Sequence, residues 1–319
     1  MAQPQTLTLS RPEGVEPVRA DPINATALVV YHAGALLAVL PFLFSWTGVF
    51  AAIVGVYVFG TLGINLCYHR LLAHRGLICP KWLEHTLAIF GVCSFQDSPA
   101  RWVAVHRRHH EHADRVSDPH SPLVSFLWAH MEWIYVQNRE LNRIRIFDRY
   151  AKDILRDGFY VALERGSRWV LVILASWIIF FAAGFLCGLA WDGTVSEAFR
   201  MGASLLVWGV FVRTVVVWHI TWSVNSAAHL WGYRNYETDD LSRNNVLVGL
   251  ISNGEGWHNN HHADPSAARH GHRPWEIDVT WYTIRLLELM GLATRVVRPR
   301  RVHSGTLRDE AAVRPERRS

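Results

Sequence analysis

The sequence predicts an all-α membrane protein, four transmembrane helices in two hairpins that carry a cytoplasmic helical cap. Three observations predict it. Half of the 319 residues are apolar and only 18% are charged, where a soluble domain carries about a quarter. Uncharged runs long enough to cross a bilayer recur along the chain, and 18 His gather largely where those runs end.

Residues 1–24 mix Pro, Gly, Arg and acids and contain no apolar core of a cleavable leader, so they are expected to be a flexible cytoplasmic segment. From Ala25 to Tyr68 there is no Asp, Glu, Lys or Arg. At about 20 residues per crossing this run makes two spans, 25–45 and 48–67, turning near Ser45-Trp46-Thr47-Gly48, with Trp46 at the far interface. The apolar stretch from Trp82 to Phe95 is short for a span and reads as interfacial or re-entrant. Spans 169–191 and 203–222 follow, joined by a loop holding Asp192, Glu197 and Arg200. Ile277, Trp281, Ile284, Leu287 and Met290 then repeat at the spacing of an amphipathic helix. Four spans return the chain to its starting side. The central loop and both tails hold nearly all the Arg, so the positive-inside rule makes that side cytoplasmic.

One domain, 25–294, therefore precedes a basic tail, 295–319, expected to be disordered and suited to anionic lipid headgroups. That tail sets eight Arg against Asp309, Glu310 and Glu316 and accounts for the whole net charge of +5. The remainder is neutral, which argues against a nucleic-acid partner. Four Cys without a C-x-x-C pair exclude a disulfide scaffold, a Cys-ligated iron–sulfur cluster and a zinc ribbon.

The chemistry lies in His69-Arg-Leu-Leu-Ala-His74, His106-Arg-Arg-His109-His110, Asn225-Ser-Ala-Ala-His229 and His258-Asn-Asn-His261-His262. Positions i, i+3 and i+4 share one helix face, so each His-x-x-His-His offers three imidazoles to a common volume. A single His on a helix is ordinarily a hydrogen-bonded core or surface residue. Two such patterns plus a His-x4-His, each beside a membrane end, point instead to metal. Nine neutral imidazoles are too many for one ion, so a two-metal centre follows, with Fe, Zn, Cu and Ni all compatible with imidazole.

These motifs resemble the membrane fatty acyl desaturases of the stearoyl-CoA type, an all-histidine di-iron family, and within it the Δ9 acyl-lipid desaturases of cyanobacteria. The resemblance runs over about residues 60–294 and includes Ala268-Arg-His-Gly271 and Trp275-Glu-Ile-Asp278. It implies two Fe ions with O2 as co-substrate. One iron takes His69, His74, His106, His110 and His261; the other takes His109, His229, His258 and His262, with a water held by Asn225. It also implies a cis double bond, at Δ9, in a saturated acyl chain lying in an apolar tunnel. A separate ferredoxin, rubredoxin or cytochrome b5 type donor with its reductase must supply electrons, because the chain has no His-Pro-Gly-Gly haem motif.

His112, Asp114, Asp118, His120 and Glu255 are expected behind the ligands, as partners for their free N–H groups. His130 belongs with these or is structural, while His32, His85, His219, His270, His272 and His303 have no motif behind them. The head group of the substrate is left between CoA and membrane lipid. Animal acyl-CoA members carry Arg-Asp before the middle His box, where this chain has Ala104-Val105. Asp97, Arg101, Trp102, Arg107 and Arg108 are the candidates for holding that head group. A related His-rich di-iron hydroxylase is the alternative enzyme. A metal transporter is the alternative outside enzymes, and it calls for ligands at mid-membrane rather than at one end. Arg213, inside the fourth span, should face the interior or pair with an acid.

Overall fold

A computed structural model describes residues 8–141 and 143–300; what was expected of residues 1–7 and 301–319 lies outside the described residues. The regular structure in them is helical, with only isolated β-bridges. Four stretches are long and apolar enough to cross a membrane: Pro22–Val39, Trp46–Ala73, Gly158–Trp191 and Val195–Leu230.

Helix α1 (Pro22–Leu36) starts where Asp21 accepts from the Ile23 and Asn24 amides and Pro22 fills the first turn. It ends sooner than the expected span 25–45. Pro41, lacking an N–H, cannot continue the ladder, and two 3₁₀ turns carry the chain to Ser45. Ser45 then caps α2 (Trp46–Ala73) through the Gly48 amide. Beyond Gly55 this helix is π-wound, and it continues past the expected end at 67 to Ala73.

The stretch expected to be interfacial forms α3 (Lys81–Val92), packed on α2 at a close crossing. A Cβ on Gly63 would strike the backbone of Phe90 and Gly91, and one on Gly91 would strike the Tyr68 ring. Helix α4 (Pro99–His112), capped by Ser98, carries the middle His box. The short helix α5 (Arg143–Tyr150) follows, and α6 (Gly158–Glu164) leads through a kink at Gly166 into α7 (Arg168–Asp192). Helix α8 (Val195–Leu230) begins earlier than the expected 203 because Thr194 caps it, and it runs on past 222 to bring Asn225 and His229 to its end. Gly184 and Gly188 of α7 lie against the backbone of Met201, Gly202 and Ala198, the small-residue contact through which membrane helices approach. Three short helices complete the fold: α9 (Val246–Ile251), α10 (His258–Ala263) and α11 (Val279–Leu289).

One apolar cluster joins α2, α3, α4 and α11, and a second joins α1 to α8 through Tyr31, Phe211, Trp218 and Trp222. Residues 9–21 touch the rest of the chain at a few points. Val15 is buried against Trp128 and Val136, Leu9 N–H donates to Leu123 O, and Asp21 N–H donates to Tyr135 O. Arg213 faces the interior as expected and pairs with no acid among the described residues. Its guanidinium donates to the Gly209 and Cys93 carbonyls and lies 4.0 Å from the Phe59 ring centre.

Candidate metal centre

Four helix segments bring nine imidazoles into two groups. His69, His74, His106, His110 and His261 offer ring nitrogens that all lie within 4.8 Å of one another, and so do His109, His229, His258 and His262. The α-helical spacing of His106/His109/His110 on α4 and His258/His261/His262 on α10 turns each triplet to one side. His69 and His74 are five apart, which in an α-helix would set them roughly 140° from each other. They converge because α2 ends in π winding, where the His74 amide donates to the His69 carbonyl, i to i+5.

Carboxylates orient four of the rings from behind. His69 Nδ1 lies 2.6 Å from Glu255 Oε2, His109 Nδ1 3.0 Å from Asp118 Oδ1, His229 Nδ1 2.9 Å from Asp114 Oδ2, and His262 Nδ1 2.8 Å from Asp240 Oδ2. A carboxylate only accepts, so each of these rings donates its Nδ1–H and turns an Nε2 lone pair inward. Those lone pairs meet other imidazole nitrogens. His69 Nε2 is 3.1 Å from His261 Nε2, while His258 Nε2 lies 3.0 Å from His229 Nε2 and 3.1 Å from His262 Nε2. His258 can donate to only one of its two neighbours, so inward lone pairs remain uncompensated. Cations between the rings are the natural complement, and the donor set fits two imidazole-binding metal ions.

The electrostatics agree with ligand duty. Burial, reinforced by neighbouring imidazoles, holds His74, His106, His110, His258 and His261 well below the usual histidine range and hence neutral. Burial would raise Asp118, Asp240 and Glu255, but facing His109, His262 and Arg70 respectively overcome it, and all three carboxyls stay below the usual range.

Asn225 lines a cavity of about 870 Å³ that also reaches His106 and His120. Its walls include Phe95, Trp102, Trp169, Trp218 and Trp222, and its other lining groups include Asp21, Asn24, Gln137, Asn138 and Arg139. Trp102 stacks on His106 with ring centres 4.9 Å apart. His120 stacks on His109, and burial pushes it down to about 3. His112 does not join the ligands; its nearest acid is Glu111, 4.0 Å away. His130 bonds to His219 and Ser226, in line with His32, rather than to either group.

Of the expected head-group residues, Asp97, Arg101 and Trp102 line the cavity, with Arg101 paired to Asp97 at 2.8 Å. Arg107 is spent elsewhere. Its five N–H positions go to the Ala73, Leu72 and Tyr150 carbonyls and to both oxygens of Asp153. Arg108 donates to Ser117 O and faces Glu140. Neither of these two lines the cavity.

Asp240 was not singled out in the sequence. It lies 22 residues before His262 in a loop, and no spacing rule connects the two. His270 was set aside, yet it is 1% exposed and its ring stands 4.4 Å from that of His261. Its place in Ala268-Arg-His-Gly271, beside the last His box, was the available signal.

The sequence pattern of the fatty acid desaturase family matches residues 44–279. The chain belongs to the fatty acid desaturase family. It is 40% identical over 276 residues to the sn-2 palmitoyl-lipid 9-desaturase of Nostoc sp. (strain 36), covering 86% of this chain and 90% of that one. It is 39% identical to the sn-1 stearoyl-lipid 9-desaturase of Anabaena variabilis, with 86% and 93% covered. The acyl-CoA 5-desaturase AL21 of Anemone leveillei is 38% identical, with 82% and 76% covered. The protein is thus an oxidoreductase of fatty acyl metabolism, and its two imidazole groups, which could hold metal, and its membrane-length helices fit that activity.

Proposed function

We propose that this desaturase places a cis double bond at Δ9 of a saturated acyl chain carried on a membrane lipid, and that its nine His hold two iron ions. The observation that carries this is an aromatic-walled cavity of about 870 Å³ lined in part by His106 and Asn225, beside two groups of inward-facing imidazoles. Such a volume lies within the usual range for a site that engulfs a small ligand. The first iron falls to His69, His74, His106, His110 and His261, and the second to His109, His229, His258 and His262 with a water on Asn225.

When bound, the reduced irons supply the oxidant, and O2, two protons and two electrons from a ferredoxin, rubredoxin or cytochrome b5 type donor with its reductase leave as water with the two hydrogens of adjacent carbons. The protein's own residues do the rest. Asp114, Asp118, Asp240 and Glu255 hold Nδ1 protons and so keep four Nε2 lone pairs inward. Trp102, Trp218, Trp222 and Phe95 hold the chain in place and keep bulk water from it. Asn225 offers an amide for one ordered water. No side chain need act as a general base.

The lipid carrier is favoured by the chemistry of the cavity lining. Its cations Arg101 and Arg139 are matched by Asp97 and Asp21, and the remaining polar groups there include the amides of Asn24, Gln137 and Asn138. That balance suits an uncharged or sugar-bearing head better than the several phosphates of CoA. Both relatives from Nostoc and Anabaena are named for acyl-lipid substrates. The spans form two hairpins, which leaves both termini and the His cap in the cytoplasm, and residues 25–294 make one domain between a short leading segment (1–24) and a basic tail (295–319).

The test is expression in a bacterial host lacking the activity, together with a matched donor and reductase. Adduct mass spectrometry locates new double bonds, and lipid and CoA fractions are analysed separately. New Δ9 unsaturation appearing first in intact lipid, and absent with His261→Ala, is expected. Unsaturation appearing first on CoA would overturn the carrier, and hydroxylated chains would overturn the reaction.

A further inference from the structure

His261 is a ligand candidate whose ring has no hydrogen bond behind it among the described residues. His69, His109, His229 and His262 each give their Nδ1–H to a carboxylate. His261 points Nε2 at His69 and His110, at 3.1 and 3.0 Å, so its proton belongs on Nδ1, and that atom is buried with no hydrogen-bond partner among the described residues. A buried donor left without an acceptor is costly. A complementary orphan sits on the adjacent ring. His270 is 1% exposed, its Nδ1 lies 3.2 Å from Glu255 Oε2, and both of its ring nitrogens are buried without a hydrogen-bond partner among the described residues. With the proton on Nδ1, where Glu255 draws it, Nε2 is an empty acceptor. The two rings stand 4.4 Å apart at 35°.

We propose that His270 is a positioning residue for the first metal: its Nδ1–H donates to Glu255 while its Nε2 accepts the Nδ1–H of His261. It does for His261 what a carboxylate does for four other rings. Glu255, already holding His69, thereby orients two ligands of one cluster. Forming these contacts calls for ring rotation, and torsion about Cβ–Cγ of His is soft. The backbone of His270 is already fixed, its N–H on Asp278 Oδ2 at 2.7 Å and its C=O on Asn260 Nδ2 at 2.8 Å. His270 is not itself a ligand, because its nitrogens fall outside the five-His group and join only His69 and Glu255. Nor is that trio a third metal site, since the Arg70 guanidinium already occupies Glu255 Oε1 at 2.8 Å.

The inference rests on the di-iron reading, and its test separates the two. Full-length protein in detergent is titrated anaerobically with Fe(II), reading iron per chain, the two dissociation constants and the Mössbauer quadrupole doublets. His270→Phe keeps ring volume without donor or acceptor, and His270→Gln restores both. For His270→Phe the weaker of the two constants should rise about 10–100-fold, with one doublet altered and the other unchanged. His270→Gln should recover most of that loss. Two irons bound as tightly in His270→Phe as in the wild type overturn the proposal, and so does a His270→Gln that loses iron as fully as His270→Phe. Should His270→Phe not fold, His270→Met takes its place with the same two outcomes. A wild-type chain that takes up no Fe(II) refutes the di-iron reading instead.

Discussion

Asp118 accepts from His109 Nδ1 at 3.0 Å and from the backbone N–H groups of Asp114 and His120, all within one short turn after the middle His box. It is 0% exposed, so the His109 ring cannot turn without stranding a buried carboxylate. Asp118→Asn keeps the shape but can present an N–H where an acceptor is needed, which favours the wrong tautomer of His109. Fe(II) affinity at the second cluster should fall about 10–100-fold, with desaturation falling in parallel and helix content unchanged. An Fe(II) titration of the variant giving the wild-type constants would show that Asp118 does not orient His109. Asp114 and Asp118 were legible in the sequence because they follow the His box within a turn or two. Asp240 was not, because tertiary folding alone brings it to His262, and for His270 the one signal was its place beside the last His box.

The helical elements were legible from composition, and their ends were not. Uncharged runs locate four crossings, but whether a helix stops at Leu36 or continues past 222 depends on Pro41 and on the local backbone, which hydropathy does not encode. The π winding of Val56–Ala73 was also invisible, although it makes a five-residue His spacing workable. A π segment is a costly backbone that persists only when its surroundings hold it. The crossing of α2 and α3 does that, with Gly63 pressed to the backbone of Phe90 and Gly91 and Gly91 under Tyr68. Gly63→Ala forces these apart and should destabilise by about 1–3 kcal/mol. Because the strain lies one turn and a half from His69, iron content should fall as well. Gly158→Ala, with nothing within 4 Å of the added methyl, is the control and should leave both unchanged. Thermal unfolding in detergent with iron analysis reads the pair. Equal stability of the two variants would mean that the crossing is loose and the π segment is held elsewhere.

At the scale of the molecule, the two clusters are where the membrane helices are tied to the rest of the chain. The first draws on α2, α4 and α10, the second on α4, α8 and α10, so each joins at least one membrane-length helix to both short His-bearing helices. Ions that bind only this arrangement stabilise it by mass action, about 4 kcal/mol at a thousand times the dissociation constant. Without them, the inward lone pairs at His69, His229 and His262 repel, and that repulsion is spread over all the elements that carry these rings. Removing iron with a chelator should therefore lower the unfolding temperature of the whole protein by several degrees, rather than loosen one loop. Re-adding Fe(II) should restore both stability and desaturation. Zn(II), which binds imidazole equally well but has no redox chemistry, should restore stability alone. The measurement is a set of melting curves for the native, chelated, Fe(II)-restored and Zn(II)-restored protein, with His261→Ala alongside. That variant should show a smaller gap between chelated and loaded forms, since one of its clusters has lost a ligand. A melting temperature indifferent to chelation in protein verified to lose its iron would mean that the cap is held to the spans by packing alone, and that the imidazoles are only guests of a fold that does not need them.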